Sequence, residues 1–194
     1  MYIMNSRNVI IGSAVIIVGL LIVVWAVSWI SGNFKTNELA TTENVSLVAS
    51  VDTELVTRIT TSGEIVGDED YRSIRISVSR NKRTLEIMSG YNNVVTDAKS
   101  YKNNQAAFES FLLAIELEGF TNSRKGATDD ERGYCPTGTR TVYEALGNTD
   151  IQQRLWSATC TKKSQTFAGD SSGIQSLFKA QIPDYSELTK SVKL

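Results

Sequence analysis

Residues Val9 to Ile30 form a 22-residue stretch without a charged side chain, and 18 of them are Ala, Val, Ile, Leu or Trp. In helical form such a run reaches roughly 33 Å, against a bilayer hydrocarbon core of about 30 Å. Its 14 Ile, Leu and Val residues each favour insertion by about 0.3–0.6 kcal/mol at mid-membrane, roughly 4–8 kcal/mol together. The segment therefore predicts a transmembrane helix, with Trp25 and Trp29 near one end, where indole rings prefer the membrane interface. Arg7 and the terminal amine precede the span and only Lys35 closely follows it. This asymmetry predicts a cytoplasmic segment 1–8 and an extracytoplasmic C-terminal part. Ala26-Val27-Ser28 would fit a signal-peptidase site, but the apolar core of a cleaved signal is usually about 7–15 residues, so an uncleaved signal anchor is expected. Gly12, Gly19 and Ala26 recur every seven residues and give the helix one small-residue face, although without a GxxxG motif. A homo-oligomer through this helix is one expected partner, and membrane lipid is the other.

After the span, residues 31–45 are mostly Ser, Gly, Asn, Thr and Glu and read as a flexible tether. Residues 46–194 are then left as one domain of ordinary size. Of the 20 basic residues only Arg7 precedes the span, while all 21 acidic residues follow it, leaving the part beyond the span at −2. So balanced a surface offers no general attraction for nucleic acid.

Within the domain the apolar period changes along the chain. Ile74, Ile76 and Val78 alternate with Ser73, Arg75, Ser77 and Ser79, which is the pattern of a strand with one buried face. Leu55–Thr61, Thr84–Ser89 beyond an Asn81-Lys82 turn, and Val94–Tyr101 beyond a Gly90–Asn93 turn complete an antiparallel four-stranded meander. A helix follows from Gln105 to Glu118, with Phe108, Phe111, Leu112 and Ile115 on one face. Asn104 is placed to cap its start, and Gly119 and Phe120 to close a Schellman motif. The second half repeats this order on a smaller scale, with strands at Thr139–Leu146 and Arg154–Cys160. A final helix carries Ile174, Leu177, Phe178 and Ile182, capped by Ser172 with Gln175 and stopped by Pro183. The expected fold class is α+β: an N-terminal transmembrane helix, then an antiparallel sheet with two helices on one face, ββββα-ββα, and one disulfide.

That disulfide joins Cys135 and Cys160, the only cysteines. They are equidistant from Gly147-Asn148, so a hairpin folded there brings them together. A domain exported by the anchor would hold the pair oxidised, closing a loop worth about 3 kcal/mol. Two thiols without a histidine do not make a zinc set, and no metal or cofactor is expected.

Several strings suggest catalysis without completing it. Gly169-Asp170-Ser171-Ser172-Gly173 resembles the nucleophile segment of trypsin-like proteases, yet the chain contains no histidine to act as base. Ser176-Leu177-Phe178-Lys179 matches the S-x-x-K string of penicillin-binding enzymes without its companion motifs. Asp68-Glu69-Asp70 and Asp129-Asp130-Glu131 read as solvated loops whose spacing is not that of a calcium loop. One charge feature remains. Arg72, Arg75, Arg80, Lys82 and Arg83 fall within twelve residues that include no acid, a candidate patch for an anionic envelope polymer or lipid headgroups.

Arg75-Ile76-Ser77-Val78-Ser79, Asn103-Asn104-Gln105-Ala106-Ala107 leading to Glu118-Gly119-Phe120, Gly133-Tyr134-Cys135-Pro136-Thr137-Gly138 and Gln181-Ile182-Pro183-Asp184-Tyr185 form a further pattern. Together they resemble an uncharacterised family of single-span, surface-anchored proteins of reduced-genome bacteria. The resemblance implies a bacterial envelope address and carries no activity. The expected function is a noncatalytic binding or scaffolding module of the cell envelope, whose partner is an envelope protein or an anionic envelope polymer. One alternative is a protease inhibitor presenting the braced loop Gly147–Gln153, an inference from fold alone. A pilin-like surface subunit is another, but residues 1–10 lack the processing Gly and following Glu, and the tether would interrupt a pilin's long helix.

Overall fold

The computed structural model describes residue 47 and residues 54–124, 128–148, 150–160 and 163–194. The expected segment 1–8, membrane helix 9–30 and tether 31–45 lie outside the described residues. Among the described residues no helix is long and apolar enough to cross a membrane.

The alternating segments become strands β1 (Val56–Ser62), β2 (Arg72–Ser79), β3 (Lys82–Ser89) and β4 (Val94–Lys102), followed later by β5 (Arg140–Leu146) and β6 (Ile151–Ala158). They form one antiparallel sheet in the order β4-β3-β2-β1-β5-β6. The meander is as the alternation predicts. β5 adds to its free side, so that Ile59 of β1 lies between Ile76 and Tyr143. Ile59, Ile74, Ile76, Val78, Leu85, Tyr143, Ala145 and Leu155 are buried in one core.

Helices α1 (Gln105–Leu117) and α2 (Ser171–Ala180) seal that core with Phe108, Phe111, Leu112 and Ile115 from the first and Ile174 and Phe178 from the second. Phe111 and Phe178 meet edge to face at 5.0 Å. Each such side chain contributes about 1.5–3 kcal/mol by leaving water. Asn104 caps α1 by accepting from the Ala107 N–H at 2.9 Å. At the other end Gly119 adopts φ +77°, with Gly119 N–H donating to Glu116 O and Phe120 N–H to Ile115 O. That is the expected Schellman closure.

Four local expectations are corrected. The turn between β2 and β3 is Arg80-Asn81, because Lys82 already pairs with Lys102 in the ladder. β6 spans Ile151–Ala158 rather than Arg154–Cys160: Ile151 sits opposite Leu146, so pairing starts close to the turn, and the chain leaves the ladder before Cys160. The cap of α2 is Asp170, not Ser172. Asp170 keeps extended backbone and its carboxylate accepts from Ser172 N–H at 2.9 Å, while Gln175 donates to Ser171 Oγ instead. α2 ends at Ala180, before Ile182 and Pro183, and helical structure resumes beyond the proline. Asp184, at φ +57°, turns the chain into a short helix α3 (Tyr185–Thr189).

The sheet's second face is partly covered as well. Trp156 is fully buried there, donating its indole N–H to Thr128 O at 2.7 Å and packing 5.1 Å from Tyr134. Buried Arg140 donates to the carbonyls of Tyr134, Cys135 and Gly63, which ties segment 128–139 to the β1–β2 loop.

Candidate binding pocket

Toward one end of β5 and β6 the core-facing side chains become small and hydroxylic. Ala145 and Tyr143 give way to Thr141 and then Thr139, and on β6 Leu155 gives way to Ser157, which pairs with Thr141. Small side chains cannot fill the space under the first turn of α2. A pocket of about 480 Å³ results, lined by Thr139, Thr141, Ser157 and Thr159 from the sheet end and by Ser171, Ser172, Gln175, Ser176 and Lys179 from α2. Arg124 and Gln165 complete the wall, with Gly169 and Asp170 leading into the helix.

A hydrogen-bonded cluster forms the pocket's inner end. Tyr143 Oη lies 2.9 Å from Ser157 Oγ and 2.6 Å from Ser171 Oγ, and Gln175 donates to Ser171 at 3.0 Å. Burial pushes the Tyr143 phenol above its ordinary value, against the opposing hydrogen bonds from Ser157 and Ser171. At neutral pH it is therefore a neutral hydrogen-bonding group. Asp170, the one carboxylate in the lining, is engaged at the helix cap. Two exposed cations belong to the lining: Arg124, anchored by its Nε on Phe167 O at 3.1 Å, and Lys179, whose ammonium lies 5.6 Å from the Tyr185 ring centroid. Hydroxyls and amides near the start of α2, together with Arg124 and with Lys179 from its last turn, suit a small ligand bearing hydroxyl and anionic groups.

The disulfide braces this rim. Cys135 and Cys160 are bonded with their Cα atoms 5.6 Å apart. The hairpin brings them together as its symmetry predicts, but beyond the ladder, where Thr159 N–H donates to Thr139 O. Cys135 is in a turn at φ +52°, and its sulfur accepts from Cys160 N–H at 3.2 Å. Gly138 is required beside it, since a Cβ there would lie 2.5 Å from Thr159 Oγ1 and 2.7 Å from Cys135 Sγ.

The five basic residues singled out in the sequence are not gathered into one patch. Arg72 is at the start of β2, donating to Glu69 O, Tyr71 O and Ser89 Oγ. Arg75 extends away from the core and reaches Glu86 at 3.4 Å. Arg83 donates to Lys102 O, Arg80 lies in the turn and Lys82 follows it. Arg75 faces Glu86 directly across the β2–β3 ladder, a pairing that linear spacing cannot reveal. The loop considered for an inhibitor is also shorter than expected. Ile151, Gln152 and Gln153 belong to β6, leaving a turn closed by Gly147 N–H donating to Asp150 O at 2.9 Å.

Of the serine strings, Ser176 and Lys179 both line the pocket, but Ser176 Oγ donates back to Ser172 O and Lys179 is exposed. A solvated ammonium is a poor base for activating a hydroxyl. Ser171 and Ser172, by contrast, supply pocket hydroxyls that a catalytic reading of the same string overlooked. The acidic loops serve structure: Glu131 binds Arg154, and Arg132 clamps Asp130 through both carboxylate oxygens at 2.8 and 2.7 Å. The Arg132 side-chain hydrogen bond, helped by its backbone N–H, holds Asp130 down to about 2. Its charge pairing is thus complete above the ordinary carboxylate range and lost only as pH falls through about 2. An NMR titration of the Asp130 carboxyl is expected to show that low midpoint, and Arg132→Gln to return it toward 3.8. An unchanged midpoint in the variant would refute the clamp.

Comparison with family models, curated proteins and solved structures finds no match to this chain.

Proposed function

We propose that this chain is a membrane-anchored, extracytoplasmic, noncatalytic binding module that seats a polyol-phosphate portion of an anionic envelope polymer in the pocket between β5, β6 and α2. The observation that carries the reading is the lining itself: hydroxyls converge from both strands and the helix, with the exposed Arg124 and Lys179 among them. Polyol hydroxyls can exchange hydrogen bonds with such a surface, and a phosphodiester can reach the two cations. The pocket is open and polar, as a segment of a longer polymer requires. The apolar run at 9–30, the charge asymmetry around it and the disulfide support the membrane and extracytoplasmic address. The resemblance to surface-anchored proteins of reduced-genome bacteria belongs to the same proposal.

Calorimetry on the full chain in lipid nanodiscs, with glycerol 3-phosphate as probe, tests this. Saturable binding is expected, weakened about tenfold by Arg124→Gln or Lys179→Gln, the loss of one charge-assisted contact. Binding indifferent to both variants would reject the pocket as its seat.

A further inference from the structure

The sheet has two edges, and the structure treats them differently. β6 is covered over its second half: Trp156 N–H donates to Thr166 Oγ1 at 2.8 Å, and Phe167 N–H donates to Trp156 O at 3.0 Å. β4 is open. It is nine residues long, Val94 through Ser100 are all exposed, and among the described residues no backbone group outside β3 bonds to it. Alternate N–H and C=O groups along such an edge point outward and form a template for another strand. Val94 and Val95 are 61% and 45% exposed at one end of it, where a protected edge would carry charge or proline.

The side chains of β4 say which strand fits. A two-fold axis perpendicular to the sheet pairs the edge with its own copy antiparallel, and only residues on the same face can then be opposite each other. Placing the axis at Ala98 sets Asp97 opposite Lys99 twice, within the regular part of the ladder. Placing it at Asp97 or Lys99 opposes like charges, and placing it at Ser100 leaves Asp97 without a cationic partner. Neither Asp97 nor Lys99 has an ion pair within the described chain. The irregularity between Ile87 and Met88 lies toward the valine end, leaving Asp97–Lys102 in continuous ladder.

We infer that β4 is a homodimerisation edge, joining two copies of this chain about a two-fold axis at Ala98 into a continuous twelve-stranded sheet. The pairing uses backbone hydrogen bonds for attraction and the Asp97–Lys99 pairs for register. It is independent of the pocket, which lies toward the other end of the strand order.

Cysteine crosslinking of the full chain in its membrane tests the inference. On the axis, Ala98 of each copy would be about 4.5–5.5 Å apart at Cα, within disulfide reach. Ala98→Cys is therefore expected to give a crosslinked dimer under mild oxidation, whereas Asn92→Cys, exposed beyond the strand, is not. In the Ala98→Cys background, Asp97→Lys or Lys99→Asp alone opposes like charges and should cut the dimer by about tenfold. Combining the two restores opposite charges and should restore the band. Absence of the Ala98→Cys crosslink, or a crosslink unaffected by either single swap, would overturn the inference. The latter result would point to association elsewhere in the chain.

Discussion

Trp156→Ala is expected to lower the unfolding free energy by about 3–5 kcal/mol, the cost of deleting a fully buried aromatic side chain and leaving its cavity. The site cannot easily collapse, because the ring is fixed on several sides: the indole N–H on Thr128 O, Tyr134 against the ring, and β6 beneath. Removing it also strands the Thr128 carbonyl and detaches segment 128–139, whose remaining ties include Arg154 to Glu131 and Asp129. Urea unfolding is the measurement. A lower midpoint with an unchanged slope would report lost stability alone. A loss below about 1 kcal/mol, the scale of an ordinary surface substitution, would show that the segment is seated by something other than Trp156. Proteolysis should sharpen in parallel at Arg132, which is exposed within the released segment.

The second large effect concerns the disulfide. Cys135 and Cys160 are 25 positions apart, and opening a loop of that size is expected to cost about 3 kcal/mol through the freedom returned to the unfolded chain. The Cys135→Ser, Cys160→Ser double variant should therefore melt well below the native protein and match its reduced form. A functional consequence is expected too, because Thr139 and Thr159 of the pocket adjoin the bridge and Cys135 Sγ lies 3.6 Å from Thr159 Oγ1. Affinity for glycerol 3-phosphate should fall along with stability. A variant that melts early but binds with native affinity would separate the bridge from the pocket.

Much of this architecture could be read from residue order. β2 was legible because Ile74, Ile76 and Val78 alternate cleanly with serines and Arg75, and α1 because its four apolar residues, its Asn104 cap and its Gly119 agree with one another. Local signals failed where two candidates stood side by side. Asp170 and Ser172 both suit a helix start, and the carboxylate side chain on extended backbone prevailed. Pro183 reads as a stop, yet a left-handed Asp184 begins another turn. The burial of Trp156 was not legible at all, since its cover comes from polar residues such as Thr128 and Tyr134 that look like loop surface.

The pocket was hidden for a related reason. Its lining is drawn from separated stretches of threonine, serine and glutamine, each of which alone resembles solvated chain. One trace was present: along β5 the core-facing positions step from Ala145 and Tyr143 to Thr141, where a strand filling a core would carry an aliphatic residue. The arginine-rich hairpin was more conspicuous and less informative. Linear clustering counts charges on both faces and at both ends of a strand as neighbours, and the fold disperses them.

Backbone amide NMR of the full chain, titrated with glycerol 3-phosphate, tests the proposed ligand seat most directly. Saturating shifts are expected at Thr141, Ser157, Ser171 and Ser172, and none along the Arg72–Arg83 hairpin. Shifts confined to that hairpin, or no saturable shift at any of the pocket amides, would contradict the account.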